Sequence, residues 1–183
     1  MNRWKTLKSE YLIKRPWLTA RRDTVQLPNG VVNDEYYVLE YPDWVNVIAI
    51  TRDGQFVMER QFRYAAQLDS IELPCGVAEP GEDALKAAQR ELLEETGFRV
   101  GRLTKLGAVN PNPALFKNTF HVYLAEELEP SGTQSLDPDE LLTWETRPVP
   151  EVLNAWGSPE FCHGLMGTAL AFYLLRRQEE GAP

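Results

Sequence analysis

The order of residue patterns along this chain predicts an α/β (α+β) fold, a mixed β-sheet flanked by helices and preceded by an antiparallel β segment. Three observations predict it. The first 45 residues read as strands and turns; one stretch of helical periodicity, 82–95, stands among strand-like runs; and two further helical stretches close the chain.

In chain order, Leu27-Pro28-Asn29-Gly30 is a turn, because proline presets one backbone angle and Asn or Gly accepts a positive φ. Residues 19–26 and 31–41 on either side are expected as a hairpin or meander. Residues 45–51 are almost continuously apolar and stop at Arg52-Asp53-Gly54 before 55–62. That pair is expected as a second hairpin, its first strand buried on both faces. From 82 to 95, Ala84, Leu85, Ala88 and Leu92 recur on one helical stripe, with Glu82 and Asp83 in the first turn, where the helix dipole favours acids. Gly97 stands where a C-terminal cap would. Residues 103–109 and 120–128 are strand-like, with the loop Asn110-Pro111-Asn112-Pro113 between them, and 141–149 adds a short strand. Helices are expected over 150–156 and about 164–178.

Composition limits the function. The 183 residues suit one domain, and 43% hydrophobic with 25% charged residues is ordinary globular usage. Acidic residues number 27 against 19 Lys plus Arg, a net charge of −8. That balance speaks against nucleic acid or an anionic membrane as partner, since both need a basic face. It leaves room for a small polyanion if metal ions mediate. The two cysteines, Cys75 and Cys162, are too few for a disulfide scaffold. No apolar signal core or membrane-length span is present, so a soluble, cytoplasmic protein is expected.

The chemistry lies in residues 76–98, GVAEPGEDALKAAQRELLEETGF. At about 100° per residue, Glu91, Glu94 and Glu95 fall on one helical face within a turn of each other. Three carboxylates so close repel one another unless cations occupy the site; hard ions such as Mg²⁺ bind through a few carboxylates plus substrate phosphates. Taken alone, the run also reads as a solvated acidic face. Leu92 is expected to hold the opposite face against the sheet.

The spacing around those acids decides between the two readings. Gly76, five residues, Glu82, seven residues, then Arg90-Glu91-Leu92-x-Glu94-Glu95-x-Gly97-Phe98 resembles the Nudix box, the signature of the Nudix hydrolases, with every fixed position filled. The resemblance implies an α/β/α sandwich and cleavage of a nucleoside diphosphate linked to another moiety. It also implies Mg²⁺, or Mn²⁺ in its place, held by Glu91 and Glu95, with Glu94 as a ligand or holder of bound water. The backbone carbonyl of Cys75 would be a further ligand, its thiol incidental and buried. Arg90 would orient the glutamates and Glu82 brace the loop. A carboxylate on a mobile loop often serves such a site as general base; Glu140 is the candidate and Asp139 the second.

Gln61-Phe62-Arg63-Tyr64, Glu72-Leu73-Pro74 and Pro113 resemble the ADP-ribose pyrophosphatase and nucleoside diphosphate sugar hydrolase branch. In that branch Arg63 would contact the diphosphate and Glu72 line the site. Asn112-Pro113-Ala114-Leu115 departs from the usual Ser-Pro-Gly of ADP-ribose enzymes, which opens a broader range that includes GDP-mannose. The branch further implies a homodimer, with residues 1–44 as a dimer-forming β segment and 45–183 as the hydrolase domain. Trp17 and Tyr36 could then stack on the nucleobase or simply pack the hairpin or dimer core. His121 and His163, isolated in sequence, are expected to be structural and to form no zinc site. Residues 165–175 are expected as core or dimer packing. Nucleoside triphosphates or capped RNA are the alternative substrates, and a non-catalytic ADP-ribose sensor is the non-enzymatic alternative.

Overall fold

The computed structural model describes residues 3–181. Its elements are β1 (Lys5–Arg15), β2 (Leu18–Gln26), β3 (Val32–Leu39), β4 (Trp44–Ala49), β5 (Gln55–Arg63), β6 (Leu68–Glu72), β7 (Cys75–Val77), α1 (Ala84–Thr96), β8 (Phe98–Val109), β9 (Phe120–Pro130), β10 (Leu142–Pro148), α2 (Val149–Ala155) and α3 (Gly164–Glu179). They fall into two units, residues 3–42 with Asn110–Thr119, and residues 43–109 with 120–181. No helix among the described residues is long and apolar enough to cross a membrane.

The first unit is the antiparallel sheet β1-β2-β3. Its β2–β3 connection is the turn read from the sequence: Gly30 takes a φ of +86° and donates to the Leu27 carbonyl at 2.9 Å. The segment Asn110–Thr119 joins this unit through main-chain bonds from Leu39 to Leu115 (2.9 Å) and from Lys117 to Leu39 (3.1 Å). Every residue of β1 is exposed, Leu7, Tyr11, Leu12 and Ile13 included.

The second unit is built on the four-stranded sheet β7-β4-β9-β8, in which β4 and β9 run parallel and the other neighbours antiparallel. β4 is buried on both faces, as its apolar run predicts, and alternation sends its side chains into two cores. Val45, Val47 and Ala49 meet Ala87, Ala88 and Leu92 of α1 on one side. Ile48 meets Met166, Ala169, Leu170 and Tyr173 of α3 on the other, together with Val152 of α2. The unit is an α/β/α sandwich.

Three expectations are corrected. β4 and β5 do not pair as a hairpin. The turn closes with Gly54 donating to Thr51 at 3.0 Å and Ile50 bridging Phe56, but β5 then enters a separate sheet, β10-β5-β6. Both strands are apolar on both faces, and both edges of β4 are already taken by β7 and β9. Stacking Phe56 and Met58 onto Ile48 buries all three, which side-by-side pairing would not. Helix α1 also starts later than expected: Asp83 is its N-cap, accepting from the Leu85 N–H at 2.9 Å, and Glu82 lies outside the helix. Finally, Leu85 is 38% exposed, and the buried stripe runs through Ala87, Ala88, Glu91, Leu92 and Glu95. The helix therefore turns two acids inward beside Leu92, where the sequence alone placed them on the opposite face. Gly97 ends α1 as a left-handed cap, with φ +71° and its N–H on the Leu93 carbonyl at 2.8 Å.

Candidate active site

The site grows from the C-terminal half of α1 and the strand it packs on. Glu91 and Glu95 are 8% and 2% exposed, while the Glu94 side chain remains 40% exposed. Backbone donors at β7 hold the buried pair: the Val77 N–H reaches Glu91 Oε1 at 3.0 Å and the Cys75 N–H reaches Glu95 Oε2 at 3.2 Å. Gly76 lies between them, and a Cβ there would sit 2.0 Å from Glu91 Cδ. The glycine of the motif is thus a matter of space for a carboxylate.

Arg90 ties this loop to the helix. Its Nε and Nη2 donate to Glu82 at 3.1 and 3.0 Å, Nη2 also to the Val77 carbonyl at 3.0 Å, and Nη1 lies 3.0 Å from both Glu91 Oε1 and Glu94 Oε2. Glu82 in turn accepts from the Glu79 N–H at 2.9 Å, which closes the loop before the helix.

Tertiary structure adds Glu59, which the sequence reading missed. It sits in β5, 0% exposed, directly across from Glu72 in the register, and neither carboxylate oxygen has a hydrogen-bond partner among the described residues. Burial pushes its carboxyl up; burial and then the Glu59 charge push the facing Glu95 well above the carboxylate range, with Glu91 and Glu140 adding to it. Burial also lifts Glu91 to about 7, the Glu94 charge adding and Arg90 and the Val77 N–H opposing. Glu59 directly follows the apolar run Phe56-Val57-Met58 and precedes Arg60, so nothing local marks it as buried. Convergent oxygen donors, two of them buried and unpartnered, suit a hard divalent cation.

Beside the carboxylates lies a second cluster. Arg63, at the end of β5, grips Glu72 with Nε at 2.8 Å and Nη2 at 2.5 Å. Glu72 is 1% exposed, and burial pushes its carboxyl up, but Arg63 and His163 more than offset that and hold it well below the carboxylate range. His163 Nδ1 lies 2.9 Å from Glu72 Oε2. His163, isolated in the sequence, is brought beside Glu72 by the return of the chain from α2 to α3, and no local signal marks that meeting. His121, on β9, pairs instead with Asp43 at 3.2 Å. The Cys75 thiol touches Arg63 Nη2 at 3.8 Å and Glu72 at 3.9 Å, and burial pushes it well above its ordinary range.

Glu140 and Asp139 are exposed, in the loop before β10. That loop is fastened to the end of α1, where carbonyls lack helical partners. Gln134 donates to the Glu95 carbonyl at 2.6 Å, Ser135 to that of Glu94 at 2.8 Å and Ser131 to that of Gly97 at 2.9 Å. Glu140 accepts from the Asp137 N–H at 3.3 Å, and its charge is felt at Glu95. Trp17 and Tyr36 lie in the first unit. Trp17, at the β1–β2 turn, is 74% exposed; Tyr36 donates to the Ala114 carbonyl at 3.0 Å and meets Trp4 edge-on at 5.7 Å.

The NUDIX domain model matches residues 41–162, and that of the nucleoside diphosphate sugar hydrolase N-terminal domain matches residues 4–39. The chain is 34% identical over 139 residues to the ADP-ribose pyrophosphatase of Bacillus subtilis (strain 168), covering 75% of each chain. It is 33% identical over 139 residues, again 75% of each, to the methanol dehydrogenase activator of Bacillus methanolicus. A crystal structure of an ADP compounds hydrolase shares the fold, with a TM-score of 0.87 at 22% identity over 100% of this chain and 98% of that one.

One prediction tests the cradle. Gly76→Ala forces the Glu91 carboxylate aside and breaks its bond to Val77, a cost of about 1–3 kcal/mol. Calorimetric titration of the folded variant with Mg²⁺ is expected to show weaker binding; unchanged affinity would mean that Glu91 does not depend on this space.

Proposed function

Given that the chain belongs to the Nudix hydrolases, we propose that it cleaves the diphosphate of nucleoside diphosphate sugars, such as ADP-ribose or GDP-mannose, with Mg²⁺ as its ion and Mn²⁺ as a substitute. The observation that carries this reading is the buried, mutually repelling set Glu59, Glu91 and Glu95 beside the cationic Arg63. An acidic cluster alone would expel a diphosphate. A divalent cation bound there would neutralise the substrate charge, polarise a phosphoryl oxygen and lower the pKa of a bound water.

Glu91 and Glu95 would hold that ion, with Glu94 and the Cys75 carbonyl completing the set. Arg90 keeps Glu91 and Glu94 in place and takes no part in the bond changes. Arg63 binds a diphosphate oxygen, and Glu72 holds its guanidinium plane in a fixed orientation. Glu140, or Asp139 in second place, takes a proton from the attacking water. The water oxygen bonds to one phosphorus and the bridging P–O bond breaks, giving a nucleoside monophosphate and a sugar phosphate. In a homodimer of this chain, Trp17 and Tyr36 would stack on the nucleobase in the partner subunit's site. The similarity to an ADP-ribose pyrophosphatase and to the nucleoside diphosphate sugar hydrolase N-terminal domain supports this substrate class. Ala114-Leu115 after Pro113 supports a range wider than ADP-ribose.

The chain is further proposed to act as a homodimer joined through its N-terminal β segment, residues 1–44. Supporting this, β1 is an edge strand that exposes Leu7, Tyr11, Leu12 and Ile13 together.

Three outcomes follow. Glu95→Gln should lower Mg²⁺-dependent turnover by about a hundredfold or more. It should also erase the thermal stabilisation given by Mg²⁺, about 2.7 kcal/mol at a hundred times Kd; near-wild-type turnover would refute the metal assignment. Arg63→Ala should cost about 1.5–3 kcal/mol in kcat/KM against ADP-ribose, GDP-mannose, UDP-glucose and ADP-glucose alike. Loss against one sugar alone would show that Arg63 reads the sugar. In sedimentation equilibrium the protein should have twice its 20.9 kDa chain mass, and Leu7→Glu should halve it; a monomeric wild type would overturn the dimer.

A further inference from the structure

We propose that Glu72, Cys75 and His163 form a second metal site, separate from the carboxylates of α1, that takes a thiophilic divalent cation such as Zn²⁺ in competition with Arg63. One ligand atom from each residue lies within 4.8 Å of the other two. His163 Nδ1 is 2.9 Å and Cys75 Sγ 3.9 Å from the same oxygen, Glu72 Oε2. Zn–S bonds of about 2.3 Å and Zn–N or Zn–O bonds of about 2.0–2.1 Å put the ligands of a tetrahedral site roughly 3.3–3.6 Å apart. The two distances straddle that value, and the thiol and the imidazole lie within 4.8 Å of each other.

The three ligands come from separate parts of the fold: the end of β6, the start of β7 and the N-terminus of α3. Glu72 is fixed by its burial. His163 Nδ1 is buried and lies 2.9 Å from Glu72 Oε2, which brings a ring nitrogen and a carboxylate oxygen to one point. The donor chemistry then sorts the ions. Thiolate, imidazole and carboxylate together suit Zn²⁺, whereas the all-oxygen set on α1 suits Mg²⁺.

The open side of the cluster is held by a cation of the chain itself. Arg63 Nη2 is 2.5 Å from Glu72 Oε2 and 3.8 Å from Cys75 Sγ. An incoming ion takes its place: the Cys75 thiol releases its proton to solvent, sulfur bonds to the metal, and Arg63 swings off Glu72 toward the solvent its side chain already meets. Occupancy thereby inhibits hydrolysis. That consequence rests on the role proposed for Arg63; the site itself does not.

The test is titration of the protein with Co²⁺ in saturating Mg²⁺, read by the near-ultraviolet sulfur-to-cobalt charge-transfer band, followed by displacement with Zn²⁺. Wild type and Cys162→Ser, the latter altering an exposed thiol outside the cluster, should show the band. Cys75→Ser should lack it, and His163→Gln should need about 10–100 times more Co²⁺. No band in the wild type, or an undiminished band in Cys75→Ser, overturns the proposal. Should Cys75→Ser fail to fold, the His163→Gln midpoint decides, an unshifted one being contrary. A band without Zn²⁺ inhibition of turnover upholds the site and overturns its competition with Arg63.

Discussion

Helix α1 buries two carboxylates, and much of the surrounding structure exists to hold them. Taking a carboxylate out of water costs several kcal/mol unless hydrogen bonds or opposite charge offset it. Here backbone N–H groups of Cys75 and Val77 supply the bonds, Arg90 supplies the charge, and Gly76 supplies the room. The compensation is incomplete: Glu91 and Glu95 still sit above the ordinary carboxylate range, and the Glu59 carboxylate beside Glu95 has no hydrogen-bond partner among the described residues. Such a cluster is poorly solved as a structural element and well solved as a cation site, which is why the buried face of α1 carries the functional reading.

The divergence of β4 and β5 is what surrounds that cluster. Were the two strands a hairpin, Glu59 and Arg63 would lie in the same sheet as β7. Because β5 crosses into the sheet with β6 and β10, it stacks over β4 and delivers Glu59 and Arg63, with Glu72 beside them, to the helix carboxylates. The same packing closes the apolar core through Phe56 and Met58. Core and site are therefore two faces of one arrangement.

The end of α1 performs a second task. Its last carbonyls have no helical partners, and the loop after β9 satisfies them through Ser131, Gln134 and Ser135. Capping the helix thus tethers the loop that carries Glu140, while Glu140 itself stays exposed.

Local chemistry was written in the sequence. The helix and its Gly97 cap, the Asn29-Gly30 turn, the double burial of β4, and the spacing of Arg90, Glu91, Glu94 and Glu95 all follow from residues within a few turns of each other. Contacts across long sequence separations were not legible. Hydrophobic periodicity treated Leu85 as core, but the direction of α1 against the sheet exposed it and turned Glu91 and Glu95 inward instead. Glu59 meets Glu95, and His163 meets Glu72 and Cys75, only because sheets and a returning loop stack there. The sequence by itself determined which acids share one helix, since their spacing is a local property of that helix. Tertiary structure alone decided what surrounds them, since burial and juxtaposed charge depend on packing between distant segments.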